Sequence, residues 1–240
     1  MAYENKVYRF KPSFKPLFKH AVDQVLAGLT SGYGVSELMG EVETLLHAML
    51  TRLNQPDLDT LATVTRAIHR RAELRLTYHS MKTGAVRREI VPHALVDSGL
   101  RWHVRAYDRT KEEFRDLVIT RMEGGTLLEI RVNSRVVDHE FAEADEQWNR
   151  MLELSLVPHP RHPHPSSIVR DFGMELEGHL RITLRAAVAG YVLRQWQVDC
   201  SEDAKMMDPE FRLWLSNSEQ LNTVNSAPLA PWYGEKSTIK

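Results

Sequence analysis

The sequence predicts an α+β protein whose centre is a small antiparallel β-domain. Residues 68–121 contain four short runs in which apolar and polar side chains alternate, separated by turns such as Lys82-Thr83-Gly84 and Asp97-Ser98-Gly99. Strand side chains repeat every second residue, so each run is expected to be a strand. Residues 17–29 and 58–71 instead carry apolar side chains at helical spacing. Short strands joined by glycine-containing turns indicate a small antiparallel barrel or sandwich.

Helical periodicity predicts three N-terminal helices, over residues 17–29, 41–53 and 58–71. Pro16 suits the first turn of the first helix, and Gly28 marks its end. Asp57 is expected to cap the third helix. The first helix must bury its apolar stripe against another helix or against a second copy of the chain.

The strand periodicity also assigns faces. Pro92 is expected to end the second strand. In the third run, residues 101–107, apolar positions oppose polar ones, and in the fourth run Arg115 and Arg121 share one face. Residues 126–132 form a fifth run, apolar enough to close a barrel.

Residues 66–121 are basic within a chain of nearly neutral charge. They contain 13 Lys+Arg against 7 Asp+Glu, whereas the whole chain has a net charge of −1. An isolated buried guanidinium is costly, so Arg88, Arg115 and Arg121 must be paired, exposed or facing a polar ligand. The planar fork of arginine suits phosphate or carboxylate.

Aromatic and imidazole side chains accompany these arginines: Tyr78, His93, Trp102 and His103. Such groups stack on unstacked bases and complement phosphate contacts in nucleotide sites. A solvated basic face with a few ion pairs is the alternative. Residue types alone support both interpretations equally.

The pattern "AI…R…L…Y.S…G…R.I.PHAL…G.RWHVRAY……FRD.V..R" resembles a WYL domain, closest to that of the BREX- and CBASS-associated repressors of bacterial anti-phage defence islands. Trp102 corresponds to the family tryptophan, while His103 and Val104 replace its tyrosine and leucine. The resemblance implies an SH3/Sm-like barrel that senses a nucleotide or nucleic-acid ligand. The ligand-binding residues that it implies are Tyr78, Ser80, Arg88, His93, Trp102, His103, Arg105, Arg115 and Arg121.

The C-terminal part resembles the extension of these repressors, often called WCX. Phe172-Gly173-Met174 is similar to their "DYGM" segment, and the strand and helix patterns of residues 151–216 fit an α+β unit. The resemblance implies dimerisation and ligand closure. The predicted domains are residues 1–60 (wing strand, linker and dimerisation segment), 61–137 (barrel), 138–150 (a linker helix or ordered loop) and 151–240 (WCX-like).

Residues 1–16 resemble the last wing strand of a winged helix-turn-helix. We therefore expect DNA to be a partner only where the rest of that module is present in the full-length protein. The printed sequence is expected to bind duplex DNA weakly and without sequence preference, because specific readout requires a helix or ribbon in the major groove.

Two other features invite a functional interpretation. His159, His162 and His164 lie in PHPRHPHP, but no cysteine or carboxylate is interleaved with them, so a loop is predicted rather than a metal site. Cys200 is the single cysteine, which excludes an intramolecular disulfide and favours a buried, inert thiol. No cofactor is predicted.

Three function classes remain open. The leading class is a ligand-sensing, homodimeric core of a transcriptional regulator, without catalytic residues. The second is a metal-independent nuclease or phosphodiesterase that uses His93 and His103 as acid and base. The third is an oligomerisation scaffold. No apolar run has the length of a membrane span and no signal-peptide pattern is present, so a cytoplasmic protein without a membrane partner is expected.

Overall fold

The computed structural model describes residues 2–4, 7–9, 54–123, 129–131, 135–175, 177–206 and 208–234. The chain divides into two units, residues 1–51 and 52–240. In the first unit, β1 (Ala2–Glu4) and β2 (Val7–Arg9) form an antiparallel pair. The helices predicted over residues 17–29 and 41–53 lie outside the described residues.

The second unit begins with helix α1 (Leu58–Arg70), which packs on a five-stranded antiparallel sheet. The carboxylate of Asp57 accepts a hydrogen bond from the backbone N–H of Thr60 at 2.8 Å, so the predicted N-cap is confirmed. The strands are β3 (Glu73–Ser80), β4 (Gly84–Asp97), β5 (Trp102–Asp108), β6 (Glu113–Val118) and β7 (Glu129–Arg131). Their order is β6-β5-β4-β3-β7, and Val64, Leu74, Leu76, Ile90 and Val104 form the centre of the core.

Two predictions about these strands are wrong. Strand β4 does not end at Pro92 but continues to Asp97, because the pairing register shifts between Pro92 and Ala94 and this bulge accommodates the proline. Strand β6 ends at Val118, and Ile119–Arg121 form a 3-10 turn. Arg115 and Arg121 therefore do not share a strand face.

The segment predicted as a linker helix or ordered loop packs against the sheet. It contains 3-10 turns at Asp138–Glu140 and Ala142–Ala144, followed by helix α2 (Glu146–Asn149). Glu140 and Asp145 are buried. They pair with Arg109 and Arg105 respectively, so the segment is fixed to the barrel domain by ion pairs.

The C-terminal part is a mixed four-stranded sheet with two helices. Strands β8 (Met151–Pro158), β9 (Leu180–Arg185), β10 (Val198–Asp199) and β11 (Leu213–Leu215) are arranged in the order β10-β11-β8-β9. Helix α3 (Pro165–Asp171) follows β8, and helix α4 (Ala186–Gln195) follows β9 directly. Leu152, Leu154, Leu156, Leu193, Leu213 and Leu215 fill the core.

Two residues singled out in the sequence, His159 of the histidine-rich segment and Cys200, lie in the interior of the C-terminal part. His159 is buried, and its Nε2 lies 3.0 Å from a carboxylate oxygen of Asp199. Burial raises the pKa of the Cys200 thiol, which keeps it protonated. No group of three metal-ligating side chains occurs within the described residues. Among these residues there is also no helix with the length and apolar character needed to cross a bilayer.

Candidate ligand-binding cleft

A cleft of about 550 Å³ lies between the barrel sheet and helix α4. On the barrel side its walls come from Tyr78 on β3, from the turn between β4 and β5, and from Arg121 in the 3-10 turn after β6. The end of α4 supplies the opposite wall. The lining residues that the following argument uses are Tyr78, Arg101, His103, Asp116, Arg121, Tyr191 and Arg194.

A second cavity, of about 260 Å³, adjoins the cleft. Tyr78, Asp116 and Arg121 line both spaces. Ser80, Lys82, Arg88 and Arg115 complete the polar lining of the second cavity together with Asp108.

The cleft carries uncompensated positive charge. Arg101, Arg121 and Arg194 form no ion pair with any residue that the structure describes. Asp116 is the one carboxylate among the described lining residues. It already accepts hydrogen bonds from Arg105 Nη1 at 3.1 Å and from the Tyr191 hydroxyl at 3.2 Å. The three arginines are therefore available for an anionic ligand.

Two hydrogen-bonding groups of the cleft are neutral. Burial raises the pKa of Tyr191, so its hydroxyl stays protonated and donates to Asp116. Burial also lowers the pKa of His103 from its ordinary 6.5, against the opposing effect of Asp116. The imidazole, 5% exposed, is therefore uncharged at neutral pH, and its ring centroid lies 5.1 Å from that of Tyr191.

Tyr78 forms a fixed aromatic wall shared by the two cavities. Its hydroxyl accepts a hydrogen bond from the backbone N–H of Val118 at 3.2 Å, which ties β3 to the end of β6. The guanidinium of Arg88 lies 5.9 Å from the ring centroid, within cation-π range. Arg88 is also paired with the buried carboxylate of Asp108, and this ion pair holds the two strands together rather than contacting a ligand.

The structure brings six of the nine sequence-predicted site residues to these cavities. Tyr78, His103 and Arg121 line the cleft, and Ser80, Arg88 and Arg115 line the second cavity.

His93, Trp102 and Arg105 are not among the residues that line either cavity. His93 Nε2 and Arg105 Nε lie 3.0 and 2.7 Å from the same oxygen of Asp145, so both side chains hold the 138–150 segment. Trp102 packs, partly buried, against the barrel core. His93 and His103 thus lie in different environments, and the arrangement does not favour the acid–base pair considered for a nuclease.

Several lining residues were not anticipated from the sequence. Arg101 was predicted as the first residue of the third strand, whereas the strand begins at Trp102 and Arg101 lies in the turn before it. Tyr191 and Arg194 are three residues apart and therefore share a face of α4. That spacing was visible in the sequence. The packing of α4 against the barrel depends on contacts between residues far apart in the chain, so the sequence pattern did not show it.

Comparison with known proteins gives two family matches. Residues 59–127 match the WYL domain model, and residues 151–221 match the model described as the BrxR transcriptional regulator, C-terminal dimerization domain. The chain is thus a WYL-domain protein with a BrxR-type C-terminal domain, which confirms the α+β class and the resemblance noted in the sequence.

Individual relatives specify the family more closely than these domain matches do. The chain is 32% identical over 210 residues to the DNA-binding transcriptional repressor CapW of Stenotrophomonas maltophilia, covering 81% of this chain and 65% of the relative. It is 30% identical to CapW of Pseudomonas aeruginosa, with 90% and 72% covered, and 28% identical to CapW of Escherichia coli (strain KTE188), with 70% and 54% covered. The chain therefore belongs to the CapW family of WYL-domain transcriptional repressors, and it spans between 54% and 72% of the length of these relatives.

Proposed function

We propose that this chain forms the ligand-sensing and dimerisation core of a repressor of a bacterial anti-phage defence system. In this proposal the cleft binds a phosphate-bearing nucleotide or oligonucleotide, and it does so without catalysis. The proposal rests on three arginines that line one cleft, Arg101, Arg121 and Arg194. None of them has an ion-pair partner among the described residues.

The cleft offers each kind of contact that a nucleotide requires. Arginine forks bind phosphate bidentately. The rings of Tyr78 and Tyr191 offer surfaces for a base, and the neutral His103 adds a hydrogen-bonding imidazole. Because one wall belongs to the barrel and the other to α4, a ligand there contacts both domains. Its affinity then depends on their relative position, which is what a sensor requires.

DNA is the second proposed partner. The CapW relatives are described as DNA-binding transcriptional repressors. We extend this role to the present chain as a proposal, with a winged helix-turn-helix as the element that would read the operator. Ligand in the cleft would then alter operator affinity through the dimer.

The direct test is a fluorescence anisotropy titration with a labelled oligothymidylate. Arg121→Ala and Arg194→Ala remove one cleft guanidinium from each wall. A lost charge-assisted hydrogen bond costs about 1.5–3 kcal/mol, so affinity is expected to fall roughly tenfold or more. Arg66→Ala, at an exposed position on α1, is the matched control and should retain full affinity. Unchanged affinity in both cleft variants would refute the assignment.

A further inference from the structure

Arg105 is a buried arginine on β5 that contacts two carboxylates. Its Nε and Nη2 donate to the two oxygens of Asp145 at 2.7 and 3.0 Å, and its Nη1 donates to Asp116 at 3.1 Å. One carboxylate is enough to neutralise a guanidinium, so the second ion pair is not needed for charge balance. Because the planar guanidinium fixes the direction of each hydrogen bond, Arg105 instead sets the positions of Asp116 and Asp145 relative to each other.

Asp116 extends these contacts to the middle of helix α4. One of its oxygens accepts from Arg105, and the other accepts from the hydroxyl of Tyr191 at 3.2 Å. Tyr191 belongs to α4 and lines the cleft. Arg105 is therefore connected to this wall of the cleft through a single intervening carboxylate.

Asp145 extends the contacts to the start of the same helix. It accepts a hydrogen bond from the backbone N–H of Trp148 at 3.1 Å. The carbonyl of Trp148 accepts from Arg185 Nη1 at 2.7 Å, and the Arg185 guanidinium lies 4.7 Å from the centroid of the Trp148 ring. Arg185 is the N-cap residue of α4. Two routes thus lead from Arg105 to α4, one to its N-cap and one to Tyr191.

We infer that Arg105 is a positioning residue of the cleft: through these two routes it fixes where α4 lies against the barrel sheet, and so sets the separation of the two cleft walls. This inference rests on the proposed function and extends it to a residue that does not line the cleft. A ligand that contacts both walls binds only where their separation fits it. Loss of the Arg105 contacts therefore lowers affinity by reducing the population of molecules with a correctly placed α4, without removing a ligand contact.

Three variants interrupt the contacts at different points. Arg105→Lys keeps the charge but loses the planar fork that holds two carboxylates in fixed directions. Arg185→Gln interrupts the route to the N-cap, and Tyr191→Phe removes the hydroxyl of the other route while keeping the ring. Arg109→Lys is the matched control, because Arg109 also pairs with a carboxylate of the 138–150 segment, that of Glu140, and neither residue lines the cleft.

Each variant is titrated with the labelled oligothymidylate under conditions in which circular dichroism shows it to be folded. Arg105→Lys is expected to bind roughly tenfold more weakly, because a charge-assisted hydrogen bond that positions α4 is lost. Arg185→Gln and Tyr191→Phe should each bind roughly two- to tenfold more weakly. Arg109→Lys should bind as the wild type does. The double variant Arg105→Lys/Tyr191→Phe should lose less affinity than the product of the two single losses, because both changes interrupt one connection.

The outcomes separate positioning from a general loss of stability and from a direct ligand contact. Unchanged affinity in Arg105→Lys overturns the inference, and so does an equal loss in Arg109→Lys. Single losses that multiply in the double variant also overturn it, because Arg105 and the Tyr191 hydroxyl would then act separately.

Arg185→Gln keeps the inference testable if Arg105→Lys does not fold. Arg185 does not line the cleft, so weaker binding in this variant supports the inference and wild-type affinity overturns it. Each of these results leaves the proposed function standing. A wild-type chain that does not bind oligothymidylate would instead refute the proposed function, and the positioning role with it.

Discussion

Asp145 connects three parts of the second unit through one carboxylate. It accepts hydrogen bonds from Arg105 Nε at 2.7 Å and Nη2 at 3.0 Å, from the Nε2–H of His93 at 3.0 Å and from the backbone N–H of Trp148 at 3.1 Å. Burial alone would raise its pKa. The hydrogen bonds from His93 and Arg105 outweigh that effect and lower the pKa from 3.8 to about 2.

This pKa shift makes folding depend on pH in a defined window. The folded state binds fewer protons than the unfolded state between the two pKa values, so the ionised Asp145 stabilises the fold by about 2 kcal/mol. The stabilisation is complete above the unfolded pKa of 3.8 and is lost as the pH falls toward about 2.

Asp145→Asn should lower the free energy of unfolding at neutral pH by about 3 kcal/mol, since Arg105 is buried and loses its main counterion. Urea titration monitored by circular dichroism measures this change. Asp203→Asn, at an exposed turn, is the control. A loss of stability in Asp145→Asn no larger than in that control would contradict the role of the carboxylate.

At the scale of elements, α4 holds the cleft wall in place through a close approach at Gly190. A Cβ at this position would lie 1.8 Å from the backbone carbonyl oxygen of Ser226. The Ser226 hydroxyl accepts from the N–H of Gly190 at 3.0 Å and donates to the carbonyl of Ala186 at 2.8 Å. The segment after β11 is thereby joined to the helix that carries Tyr191 and Arg194.

Gly190→Ala tests this contact, because helix propensity and the close approach predict changes of opposite sign in the free energy of unfolding. Helix propensity alone would favour alanine by about 1 kcal/mol. The clash is with backbone, which cannot rotate away, and overpacking typically costs about 1–3 kcal/mol. We expect a net loss of stability in urea titration, together with weaker oligothymidylate binding. Ser167→Ala, at an exposed position on α3 that does not line the cleft, is the control and should change stability by less than about 0.5 kcal/mol. A more stable Gly190→Ala variant would disprove the close approach.

Local periodicity was sufficient to predict most strands and helix α1, because alternation and capping depend on neighbouring residues. It failed where the outcome depends on a distant partner. The continuation of β4 through Pro92 requires a bulge against β5. Arg105 and His93 were assigned to the ligand site, yet each contacts Asp145, which is 40 and 52 positions away along the chain. A sequence pattern identifies an arginine in a strand but not the carboxylate that neutralises it.

At the scale of the whole molecule, the C-terminal domain exposes large apolar side chains. Met151, Phe172, Trp196 and Trp232 are each at least 37% exposed. The same domain matches a family described as a dimerization domain over residues 151–221. Exposed aromatic side chains are typical of surfaces that associate, because their burial contributes a large apolar area.

We therefore predict a homodimer in solution. Multi-angle light scattering at micromolar concentration should give twice the chain mass of 27.6 kDa. Trp196→Asp places a charge on the exposed apolar surface of the C-terminal domain and should shift the mass toward that of the monomer, because an unpaired charge is costly to bury. Leu58→Asp, at an equally apolar but 80% exposed position on α1, is the matched control and should remain dimeric. A monomer mass for the wild type throughout the micromolar range would refute the dimer. A dimeric Trp196→Asp variant would instead place the interface on another face, and an unchanged far-ultraviolet circular dichroism spectrum would show that the variant is folded.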